Sequence, residues 1–410
     1  MDSPTPPMHT PRSRPIAGSA LQVTAHRGLD GFLALRSAWE RNTRSDTRYW
    51  MRFAFYEQMV RDLPGGSEQV TTWAVADAGG QVRAIVPVRP VSVMIRRVPF
   101  RGVELLGGTF DPVLYQASSS DFPVESSELA ADSLRAVVRA LRAQPKPPAV
   151  LLLGRTTAGS HALTAALAVQ QRATSHAVHG GAKWLSVDHP FEAVLAPLAK
   201  KFRASLRKGH RDLAALGTLE FGTTTRESPD FDEAFASFLE IEASGWKGTS
   251  GTATGLLVNE HDDQRRFLET IARRTDCAPI EVHWMKLDGR HVASQLWMRE
   301  GTTRVVFKVG YREEYARFQP GHLLLEYVLR TSCEDPDLRT VDFLSDGGWF
   351  DKWRAEFMPW HYHYIPVSRI RGALAGGLLA LPSIAQLRGL LPWHRRRLHE
   401  GVSEHARPAA

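Results

Sequence analysis

Residues 280–311 read IEVHWMKLDGRHVASQLWMREGTTRVVFKVGY. The stretch is rich in Val, Trp and other strand-forming residues, and Asp288-Gly289 and Glu300-Gly301 divide it into three runs. Asp-Gly between two such runs is a hairpin signal, because a tight two-residue turn needs positive φ. The segment therefore predicts three antiparallel strands. In the third, alternation puts Val305, Phe307 and Val309 on one face and Val306, Lys308 and Gly310 on the other. A charged, aromatic link follows, then Pro320-Gly321 opens a helix over 321–333, and LRTVDFLSD supplies one more strand. Antiparallel strands, a helix and a returning strand describe an α/β (α+β) unit whose mixed, mostly antiparallel sheet is flanked by helices.

The rest of the chain extends this plan. Upstream, PLAKKFRASLRKGHRDLAAL, FDEAFASFLEIEAS and NEHDDQRRFLETIARRTD read as helices and LEFGTTT as a strand. The first part repeats the style. A helical pattern from Asp30 to Leu63 breaks near Asn42 and carries Trp39, Trp50, Phe53 and Phe55 as core or interface aromatics. Two strands flank a Gly-Gly turn in TTWAVADAGGQVRAIVPVRPV, and RGVELLGGTFDPVLY holds a second such turn. SSELAADSLRAVVRALRAQ is a helix and PPAVLLLGR a buried strand. The predicted divisions are a disordered tail over 1–18, an N-terminal unit over 19–185, a C-terminal unit over 186–370 and an apolar, basic segment over 371–410.

Composition narrows the function. The chain has 410 residues, 43% of them hydrophobic, so it can bury real cores. Its net charge of +7 suits an anionic partner without choosing one. The two cysteines, Cys277 and Cys333, form no CxxC pair, which argues against a zinc site or a disulfide framework. His361 and His363 alternate on one strand and lack a third ligand at useful spacing, so no metal is expected. No phosphate-loop, dinucleotide or Ser-His-Asp pattern is present. The N-terminus has no secretory pattern and no window is apolar enough to span a bilayer, so a cytoplasmic protein is expected. Residues 373–397 pair an apolar run with a basic cluster, which fits either a peripheral membrane contact or a helix packed on the body.

Several residues carry possible chemistry. A helix beginning at Pro320-Gly321 has unpaired N–H groups and partial positive charge, and Gly321 has no side chain to block a phosphate. Arg317 adds charge there, with Lys308 and His322 beside it. Glu242 and Trp246 are four apart on a helix that ends at Lys247. A carboxylate beside an indole can serve as a general base, or the pair can be a surface glutamate and a helix seal. Arg203, Arg207 and Arg211 form a stripe beside the apolar Phe202, Leu206 and Leu213, as a steering surface or a solvated face. Tyr311 and Tyr315 flank the same loop, and Asp342 ends the strand TVDFL.

Four blocks in order carry a family resemblance: LEIEASGWKGTSGTA (239–253), LDGRHVASQL (287–296), FKVGYREEYARFQPGHLLL (307–325) and VDFLSDGGWFDKW (341–353). Together they resemble the GNAT-type acetyltransferases of the CelD-like group, associated with cellulose and exopolysaccharide biosynthesis and related to Fem-type aminoacyltransferases. The resemblance implies tandem GNAT-like domains and transfer of an acyl group from acyl-CoA (acetyl-CoA) to an amine, such as an amino sugar or another envelope precursor. It assigns the donor phosphates to the loop from Arg317 through Pro320 and Gly321 to His322, with Lys308 nearby. Glu242 or Asp342 would be the base and Tyr311 the acid that protonates the leaving thiolate. Arg203, Arg207, Trp246, Lys247 and Lys352 would attend the substrates. The alternatives are an aminoacyltransferase using charged tRNA and a non-catalytic GNAT-fold binding protein.

Overall fold

The computed structural model describes residues 21–43, 49–63, 65–107, 120–169, 175–244 and 262–380. The tail over 1–18, Trp246, Lys247 and all residues after 380 lie outside the described residues.

In the N-terminal half, β1 (Gln22–Arg27) leads into three short helices, α1 (Gly28–Leu33), α2 (Arg36–Asn42) and α3 (Phe53–Arg61). The break expected near Asn42 falls at the end of α2, and Trp39, Trp50, Phe53 and Phe55 are all buried. Strands β2 (Thr71–Ala76), β3 (Val82–Ile95) and β4 (Val98–Leu105) follow. Then come α4 (Ser127–Arg142), β5 (Val150–Thr156), α5 (His161–Val169) and β6 (Ser175–Ser186). Leu134, Val137, Val138 and Leu141 recur at helical spacing on α4 and are buried, which seats that helix on the sheet.

The C-terminal half begins with α6 (Phe191–Leu195) and α7 (Lys200–Ala214) and repeats the plan. It contains β7 (Leu219–Thr225), α8 (Phe231–Ser244), α9 (Asp262–Arg273), β8 (Ile280–Leu287), β9 (Arg290–Glu300) and β10 (Thr303–Tyr311). It closes with α10 (Pro320–Glu334), β11 (Thr340–Asp342) and β12 (Glu356–Pro366), and α11 (Arg369–Ala380) follows. Asp288 and Gly289 have φ of 48° and 76°, the two left-handed residues that the hairpin turn requires.

Among the described residues, twelve strands form one sheet in the order β1-β2-β3-β4-β5-β12-β6-β11-β10-β9-β8-β7. The order reads alike from either end. In each half the fourth and fifth strands, β4/β5 and β10/β11, are parallel, and every other pair is antiparallel. A parallel neighbour needs a crossover, and α4 and α10 supply it. The last strands are exchanged: β12 lies between β5 and β6, and β6 lies between β12 and β11. The expected mostly antiparallel sheet with flanking helices, built as two like halves, is borne out.

Hydrophobic packing ties the halves together. One core joins Phe32, Trp39 and Phe55 from α1–α3 to Phe235, Phe238 and Phe267 from α8 and α9. Arg52 forks onto Glu300 at 2.7 and 2.8 Å, and Arg274 reaches Glu57 at 2.9 Å. On the other face of the C-terminal half, α7 and α10 cover Trp297, Val306 and Val341. Phe202, Leu206 and Leu213 are the buried side of α7, as their spacing predicts.

Candidate active site

The site arises where β10 and β11 part. They pair only from Thr303–Val305 to Thr340–Asp342. Beyond that point β10 continues to Tyr311, held on one edge by β9 and bordering a cleft on the other. The cleft has a volume of about 760 Å³, within the range of small-molecule sites.

A bulge shapes the β10 wall. Val306 pairs with Trp297 and Lys308 with the next residue, Leu296, so Phe307 is an extra residue. This corrects the simple alternation. Val305 packs with the core under α8, whereas Val306 and Val309 both pack towards α10. Lys308 and Gly310 are opposite Leu296 and Ser294 and so face α8. Gly310 is needed there, because a Cβ would stand 3.1 Å from the Cα of Glu242. Glu242, in the last turn of α8, is 1% exposed and lines the cleft beside Lys308, which is also buried.

Tyr311 ends β10 in the same cleft. Partial burial, and then the nearby Glu313 carboxylate, raise its phenol above the ordinary value, which keeps it protonated at neutral pH. Asp342 is 2% exposed at the end of β11, and its Oδ1 accepts the amide of Leu344 at 2.8 Å. It lies at the fork of the two strands and is not among the residues that line the cleft.

The start of α10 differs in detail from a helix end with several free donors. Gln319 is left-handed, with φ of 57°, and its carbonyl accepts the amides of both His322 and Leu323. Pro320 has no N–H to give. Gly321 is thus the one first-turn residue left with an amide to offer, and it lines the cleft. Gln295 Nε2 donates to the Gly321 carbonyl at 3.1 Å and fastens this turn to β9. His322 also lines the cleft, and burial followed by the charge of Lys352 lowers its pKa to about 4. Lys352 itself is exposed at the rim.

Glu242, Lys308, Tyr311, Gly321, His322 and Lys352 are therefore brought together. Arg203, Arg207, Arg317 and Pro320 are not among the described residues that line the cleft. Arg203 and Arg207 belong to the outer side of α7, and the Arg317 guanidinium lies 4.6 Å from the Phe318 ring centroid. Sequence reasoning missed Arg155 and Trp360, from β5 and β12, which line the far end of the cleft. The Arg155 guanidinium lies 4.9 Å from the Trp360 ring centroid, and its φ is 51°. Neither residue has a local signal, because only the strand exchange brings them to this site. Among the described residues, no cluster of three or more His, Cys, Asp or Glu side chains could hold a metal.

Residues 200–351 match the family profile described as Acetyltransferase (GNAT) domain. The match covers less than half of the chain, so it marks this stretch as similar to GNAT-type acetyltransferase domains. The matched stretch contains all the cleft-lining residues except Arg155, Lys352 and Trp360. The whole fold is similar to a conserved protein of unknown function from Bacteroides thetaiotaomicron VPI-5482, with TM-score 0.51 and 12% identity over 81% of this chain and 97% of that one. Weaker likenesses include FemX, with TM-score 0.48 and 14% identity over 84% and 97%. Another is a tandem GNAT protein from the clavulanic acid biosynthesis pathway, with TM-score 0.43 and 15% identity over 85% and 99%. No curated protein matches the chain.

Proposed function

We propose that the protein is an N-acyltransferase that moves an acyl group from acyl-CoA, acetyl-CoA in the simplest case, to an amine. The observation that carries the reading is the cleft between the parting strands of the GNAT-like stretch, lined together by Glu242, Lys308 and Tyr311. Glu242 takes a proton from the acceptor ammonium, directly or through water, and the freed amine attacks the thioester carbonyl carbon. Asp342 orients the amine or the base from beneath. An N–H on the open edge of β10 stabilises the oxyanion. The C–S bond then breaks with its electron pair on sulfur, Tyr311 protonates the thiolate, and the extra proton on the attacking nitrogen passes through water to the phenolate, leaving a neutral amide and free CoA. Lys308, Lys352 and the Gly321 amide hold the donor phosphates, with Arg317, Pro320 and His322 shaping that end. Arg203 and Arg207 steer anionic substrates from outside, and Trp246 and Lys247 attend the acceptor.

The proposed acceptor is an amino sugar or another amine of envelope or exopolysaccharide assembly, as the likeness to the CelD-like group suggests. The outward stripe on α7 favours one second reading, in which charged tRNA is the donor.

A thermal-shift titration with acetyl-CoA, a longer acyl-CoA, dephospho-CoA and bulk charged tRNA tests both. A ligand of the folded state raises the melting temperature with concentration. A saturable shift with acyl-CoA that is lost in Gly321→Asp is the expected result. No shift with any CoA species overturns the reading, and a shift with tRNA alone favours the second one.

A further inference from the structure

Seven large hydrophobic side chains are exposed among the described residues, and three of them, Val98, Ile370 and Leu374, belong to α11 or to the face of the β3–β4 hairpin that packs on it. Met94 and Val98, 60% and 40% exposed, flank the tip of the β3–β4 hairpin. Ile370 and Leu374, 85% and 57% exposed, share the outer side of α11. Arg96 at the hairpin tip donates to the carbonyl of Leu378 at 2.9 Å, so the tip meets the last turns of α11, whereas Met94, between the α11-facing Val93 and Ile95, is on the hairpin's other face. The inner side of α11 is made of Gly372, Ala375 and Gly376, which let it lie close against β12, β3 and β6. The helix is thus apolar inside and out, a pattern suited to an apolar partner on its open face.

The charge around this surface has one sign. Residues 91–103 and 367–380 contain five arginines, Arg96, Arg97, Arg101, Arg369 and Arg371, and no Asp or Glu. All five are exposed. Two features work against stability. Arg96 and Arg97 both have positive φ, 49° and 66°, in a turn where Asn-Gly would be relaxed. Arg369 and Arg371 stand in the first turn of α11, where the helix dipole disfavours cations. Arginine thus stands at four positions that disfavour it, beside apolar side chains exposed to water.

We propose that the β3–β4 tip and the outer side of α11 dock the protein on an anionic lipid surface. Apolar side chains enter the interfacial layer while the arginines meet lipid phosphates. No described helix is long and apolar enough to cross a membrane, which makes the contact peripheral. The inference is independent of the acyl-transfer reading.

The test is co-sedimentation of the full chain with phosphatidylcholine vesicles, with and without one part in three of phosphatidylglycerol. Binding is expected only to the anionic vesicles and should weaken with salt. Arg96→Gln with Arg97→Gln should lower affinity about thirtyfold, at roughly 1 kcal/mol per arginine. Ile370→Ser with Leu374→Ser, both at exposed positions, should lower affinity with an unchanged salt dependence. Circular dichroism confirms that each variant is folded. Equal binding to neutral vesicles, no binding to either, or full binding by both double variants overturns the proposal. So does a lipid-free dimer that the serine variants return to monomer, because a second copy would then be the occupant.

Discussion

The indole N–H of Trp353 donates to Nδ1 of His322 across 3.1 Å. A neutral ring that accepts at Nδ1 carries its proton on Nε2. Trp353 is fully buried, so it holds the ring in one orientation. Because the pKa of His322 is lowered to about 4, the cleft contains a neutral imidazole donor, not a cation.

That depression has a sign. The unfolded chain binds the His322 proton near the ordinary value of about 6.5, so between there and about 4 the unfolded state holds more protons. Stability should fall as pH falls through this window, by up to about 3 kcal/mol. Urea unfolding of wild type and His322→Gln across the window checks this. Identical pH dependence in the two proteins would show that His322 is not the group responsible.

Glu242→Gln keeps the size and burial of the side chain and removes the proposed base. It should lower kcat by about 10²–10⁴-fold with little change in donor binding. Tyr311→Phe should lower kcat and leave KM nearly unchanged, because in the proposed mechanism its proton is used only as the thiolate leaves. Steady-state kinetics with a CoA-release readout measures both. An unchanged kcat in Glu242→Gln would remove it from the chemistry.

Gly310→Ala inserts a methyl group between β10 and α8, 3.1 Å from both the Glu242 Cα and the Ile241 Cγ2. Overpacking of this kind costs about 1–3 kcal/mol. It should also widen the gap beside Glu242, so turnover should fall further than stability predicts. Denaturant unfolding and kinetics on one preparation compare the two effects.

Arg97→Gly relieves a left-handed arginine and should stabilise the protein by about 1 kcal/mol. Under the lipid proposal the same variant should bind anionic vesicles less well. A melting temperature that rises as vesicle affinity falls would reveal the opposed demands on this turn. A stable variant with full affinity would leave the strained turn without that explanation.

Much of the fold was readable because periodicity is local. The three runs of residues 280–311, the hairpin at Asp288-Gly289 and the buried side of α7 each follow from spacing within one element. β6 was not readable, because Gly180-Gly181 interrupts its pattern as a loop would. Gly181 is instead the point where β12 approaches closely: a Cβ there would stand 2.4 Å from the Met358 carbonyl oxygen. The bulge at Phe307 was hidden for a similar reason, since only the register against β9 reveals the extra residue. Glu242, Tyr311 and Gly321 could be singled out from sequence by residue type and position. Arg155 and Trp360 could not, because their place depends on strands from distant parts of the chain.

The exchange of β6 and β12 has a consequence during synthesis. β5 gains its partner on that edge only when Glu356–Pro366 arrives, and roughly 200 residues separate Thr156 from Glu356. At ribosomal rates this interval lasts about 10–40 s. Throughout it the N-terminal half presents an open sheet edge, the kind of surface that templates aggregation. A product truncated before residue 356 would lack β12 and leave the facing edges of β5 and β6 without the strand that joins the two halves of the sheet.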